Sequence, residues 1–366
     1  MGRDGVGVTG RPNGETSPPP LARMRAANSD GEWIRAIAHP YLMFLGEAAD
    51  PLAAKTAQGI VHWRPEWCLG QLRLPGCQAD LEIPDMTLEQ AKAAGVKTVI
   101  VGVANRGGKI GGGWTETLAR ALELGMDLAS GLHRRLSDIT PIRQIAEQYG
   151  RRLYDVRHPT REFDVANGIK RPGKRLLAVG TDCSIGKMYT TLALEREMKK
   201  RGMNADFRAT GQTGIFIAGE GVSIDAVVSD FVSGAVEWLS PANDPDHWDL
   251  IEGQGSLFHA SYAGVSLGLL HGAQPDALVI CHEPTRKHMR GLPQYPLPDI
   301  KTCIDANVAA ASLTNPKTRC IGASINTSHL TEALAAAYLA EIEKKLGMPA
   351  VDPFRTGVGR LVDVLA

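Results

Sequence analysis

The sequence has little that would direct the chain to a nucleic acid, a membrane or a secretory route. Lys and Arg together number 40, as do Asp and Glu, so the formal net charge is zero and no basic excess favours a phosphate backbone. No apolar run is long enough to cross a bilayer, and the N-terminus lacks the apolar core of a signal peptide. We therefore expect a cytoplasmic protein that binds neither nucleic acid nor membrane.

Metal and disulfide patterns are also missing. The six cysteines include no CxxC pair, and a chain of 366 residues is large enough to fold without disulfide bonds. Neither a cluster of metal-ligating histidines nor a Ser-His-Asp spacing occurs. We therefore expect reduced thiols and no metal site.

Apolar segments that run into small or polar residues alternate with helical segments along most of the chain. Apolar strands followed by loops and helices are typical of a parallel sheet covered on both faces. The polar segment 167–175, which contains Gly and Pro, separates two such series. We predict two α/β domains, a Rossmann-like domain over 31–170 and a P-loop NTPase-like parallel-sheet domain over 171–366. Residues 1–30, rich in Gly, Pro and Arg, are expected to be a disordered tail.

The segment "LLAVGTDCSIGKM" has the order of a phosphate-binding loop: we predict a strand over 176–180, a glycine-containing loop and a helix over 187–202. Backbone N–H groups and the positive end of the helix dipole attract an anion there. The common pattern is Gly, four residues, then Gly-Lys-Ser/Thr. Here Thr181 takes the first glycine position and Met188 replaces the hydroxyl. A turn with an incidental lysine is the alternative to an anion site formed by Gly180, Thr181, Cys183, Ser184, Ile185, Gly186, Lys187 and Met188.

Four segments, in order, resemble the P-loop group of dethiobiotin synthetase and the cobyrinic-acid-type amide ligases. "GTDCSIGKM" is similar to its GTDTxxGKT loop, and "DFRATGQTG" to its second strand and glycine turn. "WDLIEGQGS" and "IGASINTS" resemble its acid-bearing strand and its base-recognition strand. This resemblance implies an ATP- and Mg²⁺-dependent ligase or kinase. It places a cationic residue at Arg208, an acid that serves magnesium or substrate at Glu252 and a base-recognition residue at Asn326.

A narrower resemblance covers nearly everything from about residue 39 onward. "PYLMFLGEAADPLAAKTAQGIVHWRPEWCLGQLRLPGC", "RATGQTGIFIAGEGVSIDAVVSDFVSGAVE", "EGQGSLFHASYAGVSLGLLHG" and "CHEPTR" resemble the D-glutamate N-acetyltransferase family, long catalogued as a P-loop domain of unknown function. The resemblance implies transfer of acetyl from acetyl-CoA to the α-amine of D-glutamate, in D-amino-acid catabolism. Acetyl-CoA is then a co-substrate and no tightly bound cofactor is expected. Mg²⁺ belongs only to the ligase alternative.

Met188 favours the transferase over the ligase. A hydroxyl after the lysine usually holds the Mg²⁺ between the β- and γ-phosphates of a nucleotide. CoA carries a pyrophosphate and a ribose phosphate but has no γ-phosphate to cleave. We therefore hypothesise that the loop binds a diphosphate without hydrolysis. Tyr189, Thr190 or Thr191 in the next turn remain alternative sources of a hydroxyl.

Acyl transfer to an amine needs a base, a polarised carbonyl and close approach. Glu252 follows an apolar strand and is the predicted base, with a structural or metal-binding acid as the alternative. His259 is a second catalytic candidate, because histidine is the side chain most often used for proton transfer, with a packed side chain as the alternative. Asp182 is expected to orient the substrate ammonium. Cys183 as an acetyl carrier is a further alternative, since helix N-termini lower thiol pKa.

The two carboxylates of D-glutamate require cationic partners. Arg208 and Arg286 are the predicted ones, although the basic loop "EPTRKHMRG" is also consistent with a solvated surface. Gln212 and Thr213 of "TGQTG" offer donors to an oxyanion or a phosphate. We expect small-molecule substrates and a homo-oligomer. A nucleotide-binding regulatory protein is the non-catalytic alternative.

Overall fold

Two parallel β-sheets, one in each half of the chain, form the framework of the computed structural model. The structure describes residues 37–103 and 112–365, so the tail predicted at 1–30 lies outside the described residues. Both sheets alternate with helices along the chain. The predicted α/β class is therefore confirmed.

The first half contains a five-stranded sheet whose neighbouring strands all pair in parallel. Its strands are β1 (Tyr41–Gly46), β2 (Cys68–Arg73), β3 (Thr98–Val101), β4 (Asp127–Ser130) and β5 (Leu153–Asp155). Its helices are α1 (Lys55–Trp63), α2 (Leu88–Ala93), α3 (Gly112–Glu123) and α4 (Thr140–Gln148). The strand order is β2-β1-β3-β4-β5. All six residues of β1 are buried, as expected for an inner strand.

The second half contains a six-stranded parallel sheet and a short hairpin. The sheet strands are β6 (Lys174–Gly180), β7 (Ala205–Arg208), β8 (Trp248–Ile251), β9 (Ala277–His282), β12 (Arg319–Ile325) and β13 (Ala350–Val351). The hairpin pairs β10 (His288–Met289) with β11 (Leu292–Pro296). The sheet order is β13-β12-β9-β6-β8-β7. The domain boundary predicted at 170 falls between β5 and β6 and stays a prediction.

The helices of the second half cover this sheet. They are α5 (Lys187–Lys200), α6 (Gln212–Ala218), α7 (Val232–Leu239), α8 (Ala263–Ala273), α9 (Ile300–Ser312), α10 (Glu332–Leu346) and α11 (Gly359–Asp363). Short 3₁₀ turns occur at Pro51–Ala54, Pro65–Trp67, Ile224–Ala226 and Ser229–Phe231. Among the helices of the described residues, none combines the length and the apolar composition that crossing a membrane requires.

One hydrophobic core joins the two halves. It contains β1 residues together with Phe216 and its neighbours in α6. The Tyr41 hydroxyl donates a hydrogen bond to the Phe216 carbonyl at 3.4 Å, and Ile37 N donates to the Gly219 carbonyl at 2.8 Å. The packing of α6 against the first half places the segment that follows β7 between the two sheets.

Candidate active site

The predicted phosphate loop, residues 181–186, leaves the central strand β6 and leads directly into α5. Gly186 has φ of +102°, a backbone conformation that an L side chain would strain, so the turn into the helix requires glycine. Lys187 is 6% exposed, and its Nζ donates to the Asp182 carbonyl oxygen at 2.7 Å. Burial lowers the pKa of Lys187. The lysine therefore closes the loop on itself in the position where an anion would be held.

Asp182 is fully buried and anchors this loop. Its Oδ2 accepts from an Arg286 guanidinium nitrogen at 2.6 Å and from Arg290 N at 2.9 Å, and its Oδ1 accepts from Cys183 N at 2.7 Å. Arg286 also donates to the carbonyl oxygens of Cys183 and Ser184. The structure thus brings the predicted residues Asp182 and Arg286 together as an ion pair that ties the loop to the hairpin. Their predicted contacts with substrate stay predictions.

Glu252, which follows β8, lies in a buried site beside the loop. Its Oε2 accepts from Thr210 N at 3.0 Å and from Gly211 N at 3.1 Å, and its Oε1 accepts from Gln254 Nε2 at 3.2 Å. Burial raises the pKa of this carboxyl to about 7, although these hydrogen bonds and the Lys187 charge oppose the shift. Such a carboxyl exchanges protons at neutral pH, as a general base must.

Two glycines allow the chain to pack this closely around Glu252. A Cβ on Gly214 would lie 2.4 Å from Glu252 Oε2, and a Cβ on Gly253 would lie 1.6 Å from the Ala178 carbonyl oxygen. The same Gly253 Cβ would lie 3.0 Å from Lys187 Cδ. Glu252 and Lys187 therefore occupy neighbouring positions at the carboxyl ends of β8 and β6, where parallel α/β sheets bind their ligands.

His259 is 1% exposed and has a partner at each ring nitrogen. Ser261 N donates to Nδ1 at 3.2 Å, so Nε2 carries the proton and donates to the Arg290 carbonyl oxygen, 3.0 Å away. His259, Asp182 and Cys183 offer ligand atoms within 4.8 Å of one another, but the carboxylate and the imidazole already have protein partners. His259 thus joins its own loop to the hairpin, and its catalytic role stays a prediction.

Cys183 is half-buried, and burial raises the pKa of its thiol. An acetyl carrier requires the opposite shift, toward the thiolate. The geometry therefore does not favour the covalent alternative.

The hydroxyls of Thr190 and Thr191 are bonded to backbone carbonyl groups. Thr190 Oγ1 donates to the Gly186 carbonyl at 3.0 Å, and Thr191 Oγ1 donates to the Lys187 carbonyl at 2.8 Å. The Tyr189 ring packs against α1, and its hydroxyl would lie 3.8 Å from a Cβ on Gly59. Both threonine hydroxyls therefore already have carbonyl partners, and neither replaces the hydroxyl missing at Met188.

The other predicted substrate residues are dispersed. Arg208 is buried at the end of β7, where its guanidinium lies 2.7 Å from Asp249 Oδ1. Gln212 and Thr213 begin α6 and face the first half: a Cβ on Gly131 would lie 2.5 Å from Gln212 Oε1. Arg208 is thus held within the second sheet, whereas Gln212 lies where the halves meet. All three roles stay predictions.

Asn326 follows β12, three sheet positions from β8. Its Oδ1 accepts from Ser328 N at 3.1 Å, and its N donates to the His282 carbonyl at 2.8 Å. The His282 ring lies 2.9 Å from Thr181 Oγ1, and burial lowers its pKa to about 4. A neutral imidazole therefore supports the start of the phosphate loop, a contact the sequence analysis did not predict.

Thr210 and Gln254 are also functional candidates that the sequence analysis missed. Gln254 Nε2 lies 3.2 Å from both Thr210 Oγ1 and Glu252 Oε1, and Thr210 Oγ1 donates to the Glu252 carbonyl. Their signal in the sequence was their position, immediately after β7 and β8. The Gln254 amide holds the Glu252 carboxylate, and the Thr210 hydroxyl holds the Glu252 backbone carbonyl.

Comparisons with known proteins match both halves of the chain. A family model described as "Domain of unknown function (DUF1611_C) P-loop domain" matches residues 164–362. A second, described as "Domain of unknown function (DUF1611_N) Rossmann-like domain", matches residues 72–159. The predicted Rossmann-like and P-loop folds are therefore confirmed.

Two curated relatives carry the name D-glutamate N-acetyltransferase. The protein of Tritonibacter scottomollicae is 58% identical over 327 residues, which cover 89% of this chain and 98% of that protein. The protein of a Pseudoalteromonas species is 48% identical over 323 residues, covering 88% and 97%. The resemblance to the D-glutamate N-acetyltransferase family is therefore confirmed.

A solved structure agrees with this assignment. The crystal structure of a DUF1611 family protein from Anabaena variabilis superposes with a TM-score of 0.78 at 31% identity, covering 90% of this chain and 99% of that one. The agreement extends over both halves rather than over the P-loop half alone. The chain belongs to the DUF1611 family.

Proposed function

We propose that the chain is a D-glutamate N-acetyltransferase that moves acetyl from acetyl-CoA to the α-amine of D-glutamate. The two relatives of that name align over nearly their whole lengths, which supports the activity and the need for an acetyl donor. No observation on the described residues favours the ATP-dependent ligase. Acetyl-CoA as the donor and a place in D-amino-acid catabolism are part of the proposal.

The observation that carries the chemistry is the buried carboxyl of Glu252, with a pKa of about 7, beside the phosphate-loop lysine. The α-ammonium of an amino acid must lose a proton before its nitrogen attacks a thioester. Glu252 in its ionised form accepts that proton. Thr210 and Gln254 hold the carboxylate in position.

The acetyl transfer moves two protons from the nitrogen and breaks one C–S bond. Glu252 takes one proton from the ammonium, and the freed amine attacks the thioester carbonyl carbon. The C–S bond breaks as the tetrahedral intermediate collapses, and the CoA thiolate takes the second nitrogen proton. Glu252 returns its proton to solvent, so the products are N-acetyl-D-glutamate, free CoA and one proton.

The phosphate loop is proposed to hold the diphosphate of CoA. Lys187 exchanges the Asp182 carbonyl for a phosphate oxygen, and the N-terminus of α5 adds its dipole. Because Thr190 and Thr191 are bonded to helix carbonyls and Met188 has no hydroxyl, we propose that the loop works without Mg²⁺.

The remaining predicted residues are given supporting roles. Asp182 and Arg286 are proposed to hold the loop and the hairpin in fixed relative positions, so that the anion-binding site is already formed when the anion binds. Gln212 and Thr213 are proposed to face the amino-acid substrate from the start of α6. A cytoplasmic homo-oligomer without nucleic-acid partners remains a prediction. The zero net charge supports only the expected lack of nucleic-acid binding.

A thiol-release assay with purified protein tests this function. The protein is given acetyl-CoA with D- or L-glutamate, with and without EDTA, beside a parallel ATP hydrolysis assay. Release of free CoA that depends on D-glutamate and survives EDTA is expected. Magnesium-dependent ADP formation without thiol release would contradict the proposal.

A further inference from the structure

Three aromatic rings from distant parts of the chain meet at the surface. They are His62 of α1, Tyr189 of α5 and Phe354 of the loop after β13, and we call them the aromatic platform. The ring centroids are 5.4 Å apart for Tyr189 and Phe354, 5.6 Å for His62 and Phe354, and 6.1 Å for His62 and Tyr189. The planes are tilted by 38° to 54°, so no two of these rings stack face to face. Phe354 is 63% exposed, although an apolar ring gains by being covered.

The backbone that carries the exposed Phe354 ring is anchored by hydrogen bonds. Asp352 is 3% exposed, and its Oδ1 accepts from Phe354 N at 2.8 Å and from Arg355 N at 3.1 Å. Its Oδ2 accepts from Thr327 N at 3.0 Å, which attaches this loop to the end of β12. A buried carboxylate thus fixes the backbone that presents Phe354. Such preorganisation reduces the entropy lost when a ligand covers the ring.

The platform adjoins the phosphate loop. Tyr189 is the second residue after Lys187 and lies in the first turn of α5. The backbone that carries Phe354 is tied to Thr327, next to Asn326, at the same carboxyl edge of the sheet. A molecule whose phosphates occupy the loop can therefore reach the platform with a group attached to those phosphates.

The charges around the platform suit an anionic, aromatic ligand. The Arg196 guanidinium lies over the Trp63 ring, 4.4 Å from its centroid, and Trp63 packs edge-on against Tyr189. Burial and the Arg196 charge lower the pKa of His62, so its imidazole is neutral at pH 7. Neutral rings beside an arginine match a phosphorylated nucleoside better than an apolar protein segment.

We infer, on the basis of the proposed acetyltransferase function, that the aromatic platform stacks the adenine base of the acyl donor while the phosphate loop holds its diphosphate. The ligand class is an adenine nucleotide that carries a further phosphate on its ribose. Phe354 covers one face of the base, and Tyr189 and His62 close the side toward α5. The platform binds the donor remote from its thioester, so it sets the affinity for the donor rather than the rate of the chemical step.

Direct binding tests the platform without any turnover. Adenosine 3′,5′-bisphosphate, which is the nucleotide end of CoA without the thioester arm, is titrated into the full chain by calorimetry. Phe354→Ala is expected to weaken its binding by about tenfold, which lies within the usual range for one base–aromatic stack. Phe354→Trp is expected to retain the affinity. Tyr149→Ala, at an aromatic residue 44% exposed on the first half, is the matched control.

Kinetics separates this inference from the function on which it rests. Phe354→Ala is expected to raise KM for acetyl-CoA by about tenfold at unchanged kcat, and to leave kcat/KM for S-acetylpantetheine unaltered. Equal losses with both donors, or unweakened bisphosphate binding, would overturn the platform. A third outcome is that the wild-type chain transfers no acetyl group but binds the bisphosphate, and that Phe354→Ala weakens this binding. That outcome would refute the proposed function and support the nucleotide site.

Discussion

Asp182 and Glu252 are two buried carboxyl groups on adjacent loops, and they differ in their hydrogen-bond and ion-pair partners. Asp182 has an arginine partner, Arg286, in addition to two backbone N–H groups. Glu252 has backbone and amide donors but no arginine, and burial raises its pKa to about 7. A paired carboxylate holds structure together, whereas an unpaired buried one exchanges protons near neutral pH. Since both groups are buried, the arginine partner distinguishes Asp182, which ties the loop to the hairpin, from Glu252, the candidate base.

The strongest test of this contrast is Glu252→Gln. We expect kcat/KM for acetyl transfer to fall by about 10²- to 10⁴-fold, because the amine loses its proton acceptor while the amide preserves the shape of the site. Steady-state thiol release measures the loss. Glu147→Gln, at an exposed position on α4, is the control and should retain full activity. Near-normal turnover in Glu252→Gln would show that the base is elsewhere.

Asp182→Asn should act on the loop rather than on proton transfer. Removing the charge leaves Arg286 with Glu283, 3.3 Å away, as its remaining carboxylate partner. We expect a loss of about 1–3 kcal/mol in the free energy of unfolding and a higher KM for acetyl-CoA. Urea unfolding and donor titrations measure both effects. The double variant with Arg286→Ala should lose less than the sum of the two single losses. Additive losses would contradict the ion pair.

The pH dependence should follow Glu252 alone. Since the base is the ionised form, kcat/KM is expected to fall about tenfold for each unit of pH below about 7. The folded state also binds this proton more tightly than the unfolded chain, whose carboxyl has the usual pKa of 4.5. This group therefore lowers the free energy of unfolding as pH rises from 4.5 through 7. Activity profiles and thermal unfolding from about pH 4 to 8 check the direction of both effects. A loss of activity centred near pH 4.5 would refute the raised pKa.

The smallest effect is expected from Met188→Thr. The change restores the hydroxyl of the common pattern, but CoA offers no γ-phosphate for a metal to bridge. We expect acetyl transfer to change by less than about threefold and to remain insensitive to EDTA. Assays with and without EDTA measure it. A wild-type enzyme that loses activity in EDTA would show that the loop uses a metal after all.

The sequence predicted local features well because the loop, its strand and its helix are consecutive. A strand over 176–180 and a helix from 187 were expected, and β6 ends at Gly180 while α5 begins at Lys187. The partners of the site residues were not predictable, since they come from distant segments. The Asp182–Arg286 pair joins residues 104 apart, and nothing in either segment encodes that meeting. Arg208 illustrates the same limit, because its neighbour Asp249 belongs to the adjacent strand.

The hydrophobic core shared by the two halves has a consequence for how the protein loses its structure. β1 of the first half and α6 of the second bury their apolar side chains in the same cluster. Separating the halves would expose those side chains to water, so neither half is an autonomous folding module. We expect a single cooperative heat-capacity peak in calorimetry, instead of two independent melting events. Exchange of one half with that of an unrelated protein should accordingly yield chimaeras that aggregate, and divergence within the family is expected to keep the two halves together.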